Sequence, residues 1–281
     1  MSLSGNAKLA GIAGWPIGHS LSPRLHAYWI AEHRLDAAYV PLAVKREDFA
    51  VAVALLPKLG FRGLNVTIPH KETAFALATE HDEAASGIGA VNTMVFEDRR
   101  IIGRNTDALG FVGMLRDAGL TSLAGKTAIV IGAGGAARAV VFALTKLNTA
   151  RVMIANRTAA KAEELAKHFG GHAVEPTDMA SLEKSLGSAH LIVNTTSLGM
   201  TGQPKLALDL APLSKDAVVA DIVYRPLETP LLAAARRRGL KTIDGLAMLL
   251  HQAVPAFHAW FGVEPKVTPA LRAHLLAALE G

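Results

Sequence analysis

One segment of the sequence limits the fold more than any other. The apolar run KTAIVIG (126–132) passes directly into a glycine-rich turn, and an amphipathic helix pattern follows. The turn has the form G-x-G-x-x-A, with Gly132, Gly134 and Ala137 at the defining positions. The first glycine allows a tight turn, the second lets a pyrophosphate approach the backbone, and the small third residue lets the helix pack closely on the strand. The free N–H groups and the positive dipole end of the helix attract phosphates, so the segment predicts a dinucleotide site.

Strand and helix patterns alternate on both sides of this segment. After residue 126 the order is βαβαβ, which predicts a parallel sheet with right-handed crossovers. Before it, strands and helices also alternate, and a hairpin is expected around Asp98-Arg99. Two apolar helix patterns near the end of the chain fall outside the alternation, and we expect them to return to the first domain. A length of 281 residues fits two domains of an α/β protein.

The end of the strand after the glycine turn indicates which dinucleotide binds. Enzymes that use NAD place Asp or Glu there to hold the ribose hydroxyls. This chain has Asn156-Arg157-Thr158 instead. Arg157 can hold a 2′-phosphate with its planar guanidinium, and its neighbours can add neutral hydrogen bonds, so we predict NADP. The competing interpretation is a loop charge at Arg157 and a helix N-cap at Thr158, and Thr158 can serve both purposes.

Composition excludes several classes of function. There is no cysteine, which rules out disulfides, thiolate catalysis and zinc–thiolate sites. The eleven histidines show no metal-ligand spacing, and we predict no metal. The net charge of +5 is dense only at Arg236-Arg237-Arg238, a helix-end pattern, so no nucleic-acid partner is expected. No signal peptide and no apolar run of about 20 residues is evident, which predicts a cytoplasmic protein with no membrane partner.

The densest polar cluster lies in the first half, at NVTIPHK (65–71). Alternation along a strand places Asn65 and Thr67 on one face and Val66 and Ile68 on the other. Lys71 falls in the first turn of the next helix, where the dipole disfavours its ammonium form, and this suits proton transfer. A surface lysine beside the helix start is an equally weighted alternative.

Further polar groups end strands or begin helices nearby. Asp107 closes the segment Asn105-Thr106-Asp107, and a carboxylate beside Lys71 would orient the ammonium. All three residues can also cap the helix that follows, and that interpretation stays open. Asn92 offers an exposed amide at a strand start. Ser20 and Ser22 lie at a strand–helix turn and suit a carboxylate ligand, although Ser22 is also a candidate N-cap before Pro23.

Eight motifs, in order, resemble those of the shikimate dehydrogenase family over nearly the whole chain: PIGHSLSP, NVTIPHK, GAVNT, GRNTD, GAGGAAR, NRT, NTTSLGM and DGLAMLLHQA. The resemblance implies an α/β fold of two domains with a cleft between them. A substrate domain with a mixed sheet would span 1–107 and be completed by C-terminal helices within 246–281. A Rossmann-type NADP-binding domain would span 108–245. The implied reaction is the reversible, NADPH-dependent reduction of 3-dehydroshikimate to shikimate in aromatic amino-acid biosynthesis.

The resemblance also implies roles for individual residues. The catalytic pair would be Lys71 and Asp107. The substrate-binding residues would be Ser20, Ser22, Asn65, Thr67, Asn92, Tyr224 and Gln252. The cofactor-binding residues would be Gly132, Ala133, Gly134, Gly135, Ala136, Asn156, Arg157, Thr158, Gly245 and Met248. Gln252 follows Met248 by one helical turn, so both share a face; a core-facing glutamine is the alternative.

Three positions depart from the family pattern. Arg104 stands where an acidic residue is common, and Ala108 and Ala247 replace frequent glycines. The alternative function is a quinate/shikimate dehydrogenase with relaxed cofactor or substrate use, and a 3-amino-substituted substrate also stays open. A non-catalytic sensor on the same fold would be expected to lose the Lys71–Asp107 pair. The oligomeric state is left open, with a homodimer among the options.

Overall fold

A computed structural model describes residues 3–171 and 173–280, which form two compact units. The first unit contains the chain up to Asp107 and the part from Leu249 onward, and the second contains Ala108–Met248. The helix Leu246–Phe261 therefore begins in the second unit and continues in the first. Met1, Ser2, His172 and Gly281, which the predicted domain ranges include, lie outside the described residues.

Twelve strands and eleven α-helices are present in the described part of the chain. The strands are β1 Lys8–Gly14, β2 Ala37–Ala43, β3 Phe61–Val66, β4 Glu80–His81, β5 Thr93–Glu97, β6 Arg100–Arg104, β7 Thr127–Ile131, β8 Arg151–Ala155, β9 Val174–Thr177, β10 Leu191–Asn194, β11 Val218–Asp221 and β12 Lys241–Ile243. The helices are α1 Ser22–Glu32, α2 Phe49–Leu55, α3 Lys71–Leu77, α4 Glu83–Ile88, α5 Asp107–Asp117, α6 Gly135–Lys146, α7 Ala159–Phe169, α8 Met179–Ser185, α9 Pro230–Arg237, α10 Leu246–Phe261 and α11 Pro269–Glu280.

The first unit is built on a mixed six-stranded sheet with the order β2-β1-β3-β5-β6-β4. Strands β1, β2 and β3 are parallel, whereas β5 is antiparallel to both β3 and β6. The predicted hairpin is confirmed: Asp98 and Arg99 connect β5 to β6 and both have positive φ. A two-residue turn with positive φ at both positions matches the twist of the flanking strands.

Two tryptophans, Trp260 on α10 and Trp29 on α1, attach the C-terminal part of the chain to the first unit. The Trp260 indole N–H of α10 donates to the Met94 carbonyl of β5 at 3.0 Å. A side chain at Gly63 of β3 would collide with that indole, so the glycine makes the close approach possible. The Trp29 indole of α1 donates to the carbonyl of Lys266, just before α11. These contacts explain why both terminal helices belong to this unit.

The second unit contains six parallel strands in the order β12-β11-β10-β7-β8-β9. Numbered from β7, this is the doubly wound order 6-5-4-1-2-3, in which the order reverses between β7 and β10. The glycine turn leaves the carboxyl end of β7, at the point of reversal where such sheets bind their ligands. The predicted α/β class, with one mixed and one parallel sheet, is confirmed.

Two local predictions were wrong at element ends. Strand β3 stops at Val66, and Ile68 is 72% exposed, so the strand alternation does not extend to Ile68. The N-cap of α1 is Leu21, so Ser22 is the first residue of the helix and not its cap. Helix α3 begins at Lys71, which therefore lies in its first turn as predicted. Within 3–171 and 173–280, no helix combines the length and the apolar character that crossing a membrane requires.

A buried carboxyl group joins three elements of the second unit. Asp221 ends β11, is fully buried, and accepts hydrogen bonds from the Asn194 amide, the Val223 backbone N–H and the Thr229 hydroxyl at 3.0, 3.0 and 2.7 Å. Burial raises the pKa of Asp221 from its ordinary 3.8 to about 6, although these three hydrogen bonds act in the opposite direction. The folded protein therefore holds this proton more tightly than the unfolded chain does.

This carboxyl group should make the stability of the second unit depend on pH. Its contribution to stability is present below about pH 4 and is lost as pH rises to about 6, a change of roughly 3 kcal/mol. Asp221→Asn cannot ionise and keeps an acceptor oxygen. We expect its free energy of unfolding to improve relative to the parent protein by that amount between pH 4 and pH 7, measured by urea denaturation. The exposed Asp216→Asn is the control. A constant difference between parent and Asp221→Asn across this range would contradict the prediction.

Candidate active site

Lys71 and Asp107 meet although 36 positions separate them in the chain. Each is the first residue of a helix, α3 and α5 respectively, and the Lys71 Nζ donates to Asp107 Oδ2. Their side chains are only 16% and 9% exposed. A carboxylate is stabilised at a helix N-terminus, whereas an ammonium there needs an anionic partner, and Asp107 provides it. The pair therefore forms a charged group shielded from bulk water.

The second oxygen of Asp107 has a different partner. Asn92 Nδ2 donates to Asp107 Oδ1 at 2.8 Å, so both carboxylate oxygens receive side-chain donors. The backbone N–H of Asp107 donates to Asn105 Oδ1, and the Asn105 amide donates to the Ala90 carbonyl. The segment Asn105-Thr106-Asp107 is thus held by side-chain hydrogen bonds. The carboxylate of Asp107 faces Lys71 and Asn92, so helix capping does not account for its position.

Asn92 lies between α4 and β5 and is the centre of this hydrogen-bond network. Its Oδ1 accepts from the Thr106 backbone N–H at 2.8 Å and from the Thr93 hydroxyl at 3.1 Å. Its Nδ2 donates to Asp107 Oδ1 and to the Thr106 hydroxyl. The prediction of an exposed amide at Asn92 is wrong: the residue is only 3% exposed, so its amide is oriented by the protein and not by water.

The end of β3 brings Asn65 into the same network. The Asn65 amide donates to Thr93 Oγ1 at 3.0 Å and to the Asn92 carbonyl at 3.2 Å. Thr67 follows the strand, is half-buried, and its backbone N–H donates to the Ala13 carbonyl of β1. The two residues therefore occupy the carboxyl end of β3, as predicted, although only Asn65 is within the strand.

The two serines lie at the N-terminus of α1. The Ser20 hydroxyl accepts from the backbone N–H of Ser22 at 3.3 Å. Ser22 is 3% exposed, and its side chain acts to lower the pKa of the Tyr39 phenol on β2, against the larger effect of burial. These contacts place Ser22 beside a neighbour of Asn65, since the Tyr39 hydroxyl donates to Asn65 Oδ1 at 2.7 Å.

Gln252 completes the set within the first unit. It lies on α10, and its Oε1 accepts weakly from Asn92 Nδ2 at 3.4 Å and from the Thr106 hydroxyl at 3.5 Å. Its Nε2 donates to the Leu249 carbonyl. Gln252 thus joins the polar network and is not buried in the apolar core.

The other predicted site residues belong to the second unit. Tyr224 is half-buried and lies in the segment that follows β11. Gly245 is approached so closely by the backbone carbonyls of Ile222 and Val223 that no side chain fits. Met248 is buried on α10. Packing alone accounts for glycine at 245, and the ligand-binding roles of these three residues remain predictions.

The two glycines of the turn after β7 are required for different reasons. Gly132 has φ +115°, and a Cβ there would lie 2.5 Å from Thr195 Oγ1, so the fold itself demands glycine. Gly134, the N-cap of α6, has extended backbone angles that any residue can adopt. No heavy atom of the described residues lies within 4 Å of a Cβ built at Gly134. The fold therefore does not require glycine at 134, and the predicted approach of a ligand to this residue stays a prediction.

The rest of the turn lies along the N-terminus of α6. Ala133, Gly135 and Ala136 are half-buried, and Ala137 is fully buried against β7 and its neighbours. The first backbone N–H groups of a helix have no partner inside the helix. They are therefore available to phosphate oxygens at this end of α6.

The residues after β8 present polar and cationic groups to solvent. Arg157 and Thr158 are exposed, and the Asn156 amide donates to the Thr158 carbonyl at 2.9 Å. Thr158 is the N-cap of α7, but its side chain makes no capping hydrogen bond, which leaves its hydroxyl for a ligand. Lys161, in the first turn of α7, is a further exposed cation four positions after Arg157 and was not predicted as a site residue. Its proximity to Arg157 in the sequence was the signal available.

Three further residues of the network were not predicted as site residues: Tyr39, Thr93 and Thr106, the last of which was considered only as a helix cap. All three are buried and hydrogen-bond directly to predicted substrate-binding residues. Threonine and tyrosine are common strand residues, so their sequence positions carry no functional signal. Among the residues that the structure describes, no group of three or more His, Asp or Glu side chains could hold a metal ion.

Comparison with known proteins agrees with this arrangement. Residues 12–94 match the family model described as the shikimate dehydrogenase substrate binding domain, and residues 115–208 match the model described as shikimate / quinate 5-dehydrogenase. A shikimate dehydrogenase (NADP(+)) of Rhodospirillum rubrum is 52% identical over 279 residues, covering 98% of this chain and 99% of the relative. One of Acidiphilium cryptum is 53% identical over 281 residues and covers both chains completely.

A solved structure gives the same result. A shikimate dehydrogenase in complex with NADP+ superposes with a TM-score of 0.92 at 36% identity, covering 99% of this chain and 98% of the other. The sequence and structure comparisons thus agree over both units. On these grounds the chain belongs to the shikimate dehydrogenase family.

Proposed function

We propose that this protein is an NADP-dependent shikimate dehydrogenase, which interconverts 3-dehydroshikimate and shikimate in aromatic amino-acid biosynthesis in the cytoplasm. The observation that carries the proposal is the shielded Lys71–Asp107 pair inside a network of asparagine, threonine and glutamine side chains. An ammonium positioned by a carboxylate is suited to give a proton to a carbonyl oxygen. The surrounding amides and hydroxyls are suited to a polyhydroxylated ring.

The second unit has hydrogen-bond donors suited to the phosphate groups of NADP. Gly134 leaves open space at the N-terminus of α6, where backbone N–H groups face outward to receive a pyrophosphate. Arg157, with Asn156 and Thr158, would hold the 2′-phosphate. The absence of Asp and Glu from this segment removes the repulsion that a second phosphate would meet. Gly245 and Met248 would lie beside the nicotinamide. When bound, the cofactor supplies the hydride.

The substrate would be held by the predicted residues of the first unit. Ser20 and Ser22 would hydrogen-bond to the carboxylate of the substrate, with Tyr224 as a third ligand. Asn65, Thr67, Asn92 and Gln252 would bind the ring hydroxyls. Because most of these groups already have protein partners, their orientations are set before the substrate arrives.

The chemistry of the chain itself is proton transfer at the C3 oxygen of the substrate. Lys71 Nζ donates a hydrogen bond to the carbonyl oxygen and then transfers its proton as negative charge develops there. Asp107 holds Lys71 through Oδ2 and is itself held by Asn92 through Oδ1. In the reverse direction Lys71 accepts the proton from the C3 hydroxyl.

An assay at 340 nm tests the proposal directly. The purified protein should reduce NADP+ when shikimate is added, because both the predicted substrate ligands and the predicted phosphate ligands are present. Rates with quinate in place of shikimate, and with NAD+ in place of NADP+, should be lower. No reduction of NADP+ by shikimate, or a clear preference for quinate with NAD+, would contradict it.

A further inference from the structure

The phenol of Tyr39 lies between two residues that the proposed function assigns to the substrate. The Tyr39 hydroxyl donates to Asn65 Oδ1 at 2.7 Å, and the Ser22 side chain acts on the same phenol by lowering its pKa, against the larger effect of burial. Tyr39 is 7% exposed, and burial raises its pKa well above the ordinary value of 10. Burial therefore favours the protonated phenol, which is the form that donates to Asn65.

The phenol is also fixed in direction. Its ring stacks on His26, with centroids 4.0 Å apart and planes 6° from parallel, and Trp260 lies 5.9 Å away. His26 is fully buried, and burial lowers its pKa to about 3, so the stacked imidazole is neutral. A ring held between neighbours in this way has little freedom to turn its hydroxyl away from Asn65.

Donation from Tyr39 determines which way the Asn65 amide faces. With Oδ1 on the phenol, Nδ2 must face the other side, where it donates to Thr93 Oγ1 and to the Asn92 carbonyl. A flipped amide would set its oxygen against the Asn92 carbonyl oxygen, acceptor against acceptor, and would take from the phenol hydrogen the Asn65 oxygen that accepts it. Tyr39 and the Asn92 carbonyl thus favour the same one of the two amide orientations.

Thr93 passes this direction on to the catalytic pair. Its hydroxyl accepts from Asn65 and donates to Asn92 Oδ1 at 3.1 Å, which leaves Asn92 Nδ2 to donate to Asp107. Asp107 in turn holds Lys71. The donors therefore all face one way along a continuous chain from Tyr39 through Asn65, Thr93 and Asn92 to Asp107.

We propose that Tyr39 and Thr93 are positioning residues, which set the orientations of the Asn65 and Asn92 amides and through them the placement of the Lys71–Asp107 pair. This inference rests on the proposed function, because its readout is the rate with shikimate. In this proposal Tyr39 begins the hydrogen-bond chain, and Thr93 links the Asn65 amide to the Asn92 amide. Neither residue needs to touch the substrate for this role.

Tyr39→Phe tests the start of the chain, since it keeps the ring on His26 and removes only the donor. A buried Asn65 oxygen then loses its partner, and we expect kcat/KM for shikimate to fall about tenfold. The KM for shikimate should rise while the KM for NADP+ stays unchanged. A purely structural lesion would instead lower the amount of active protein and leave both KM values alone. An unchanged kcat/KM for shikimate would overturn the proposal.

Thr93 tests the link independently, including the case in which Tyr39→Phe fails to fold. Thr93→Val removes the hydroxyl at nearly constant shape and should lower kcat/KM to a similar extent, whereas Thr93→Ser should restore it. Equal activity of the Val and Ser variants would overturn the role of Thr93. In the double variant Tyr39→Phe/Thr93→Val, kcat/KM for shikimate should fall about tenfold in total, because both residues belong to one hydrogen-bond chain. A fall of about a hundredfold would show that the two residues act independently.

Two controls separate this inference from other failures. Tyr28→Phe removes a phenol from α1 at a position beside His274, outside the network, and should have parental kinetics. The parent protein is assayed with shikimate and NADP+ in the same series. An inactive parent would refute the proposed function, whereas an active parent with unaffected Tyr39 and Thr93 variants would refute only the positioning role.

Discussion

Replacing Lys71 with alanine should lower kcat for shikimate oxidation by about 10²–10⁴-fold, the usual effect of removing a positioned acid–base group. The structure supports a large effect because Lys71 is the cation paired with Asp107 at the centre of the network. Asp107→Ala should also reduce kcat. The double variant should lose little more than Lys71→Ala alone, because groups that act as a unit are not additive.

Steady-state kinetics on folded protein checks this expectation. Lys58→Ala removes an exposed lysine from the same unit. It serves as the control for the loss of one positive charge and for the preparation of a variant protein. Circular dichroism establishes that each variant is folded. If Lys71→Ala had a kcat close to that of the parent protein, Lys71 would not be the proton-transfer group. The mechanism proposed for this site would then be refuted.

The parts of the site that the sequence could predict are those tied to element ends. Asn65, Lys71 and Asp107 each end a strand or begin a helix, and the chain pattern marks those places through glycine, proline and polar residues. The glycine turn was predictable for the same reason, since it joins a buried strand to a helix. Local sequence can locate such residues because the backbone requires particular residue types there.

The partners within the network could not be predicted in this way. Tyr39 contacts Asn65 only because β2 and β3 flank β1 in the sheet. The local sequence of a strand does not determine its place in the strand order. Gln252 reaches Asn92 across 160 positions because α10 packs on the first unit. That packing depends on Trp260 fitting over Gly63, a steric match that neither segment reveals alone.

The extent of β3 shows a further limit of pattern analysis. Alternation predicted that Ile68 would share a face with Val66, yet Val66 is buried and Ile68 is 72% exposed. The strand ends at Val66, and the next residues turn toward α3. An apolar residue just beyond the end of a strand fits the alternating pattern as well as one inside the strand. The alternation of apolar and polar residues alone therefore cannot show where the strand and its burial end.

Gly134→Val should raise the KM for NADP+ on the order of 100-fold while the protein stays folded, since displacing a bound group by about 1 Å can cost that much. The backbone at Gly134 is extended, so valine meets no conformational strain. Its side chain would occupy the open space at the N-terminus of α6 where the pyrophosphate is expected. The expected loss of stability is about 1 kcal/mol or less, because glycine is only a moderate N-cap. The KM for shikimate should change little.

Two other glycines make the test specific. Gly132→Ala should destabilise the fold itself, because a Cβ there meets Thr195 Oγ1 at 2.5 Å and φ is +115°. Gly5→Val should alter neither folding nor kinetics, since a Cβ at that position also has no described atom within 4 Å and lies far from the turn in sequence. Thermal denaturation and cofactor titration together distinguish the three outcomes. If Gly134→Val bound NADP+ as the parent does, the open space above α6 would need another explanation and the assignment of this turn to the pyrophosphate would fail.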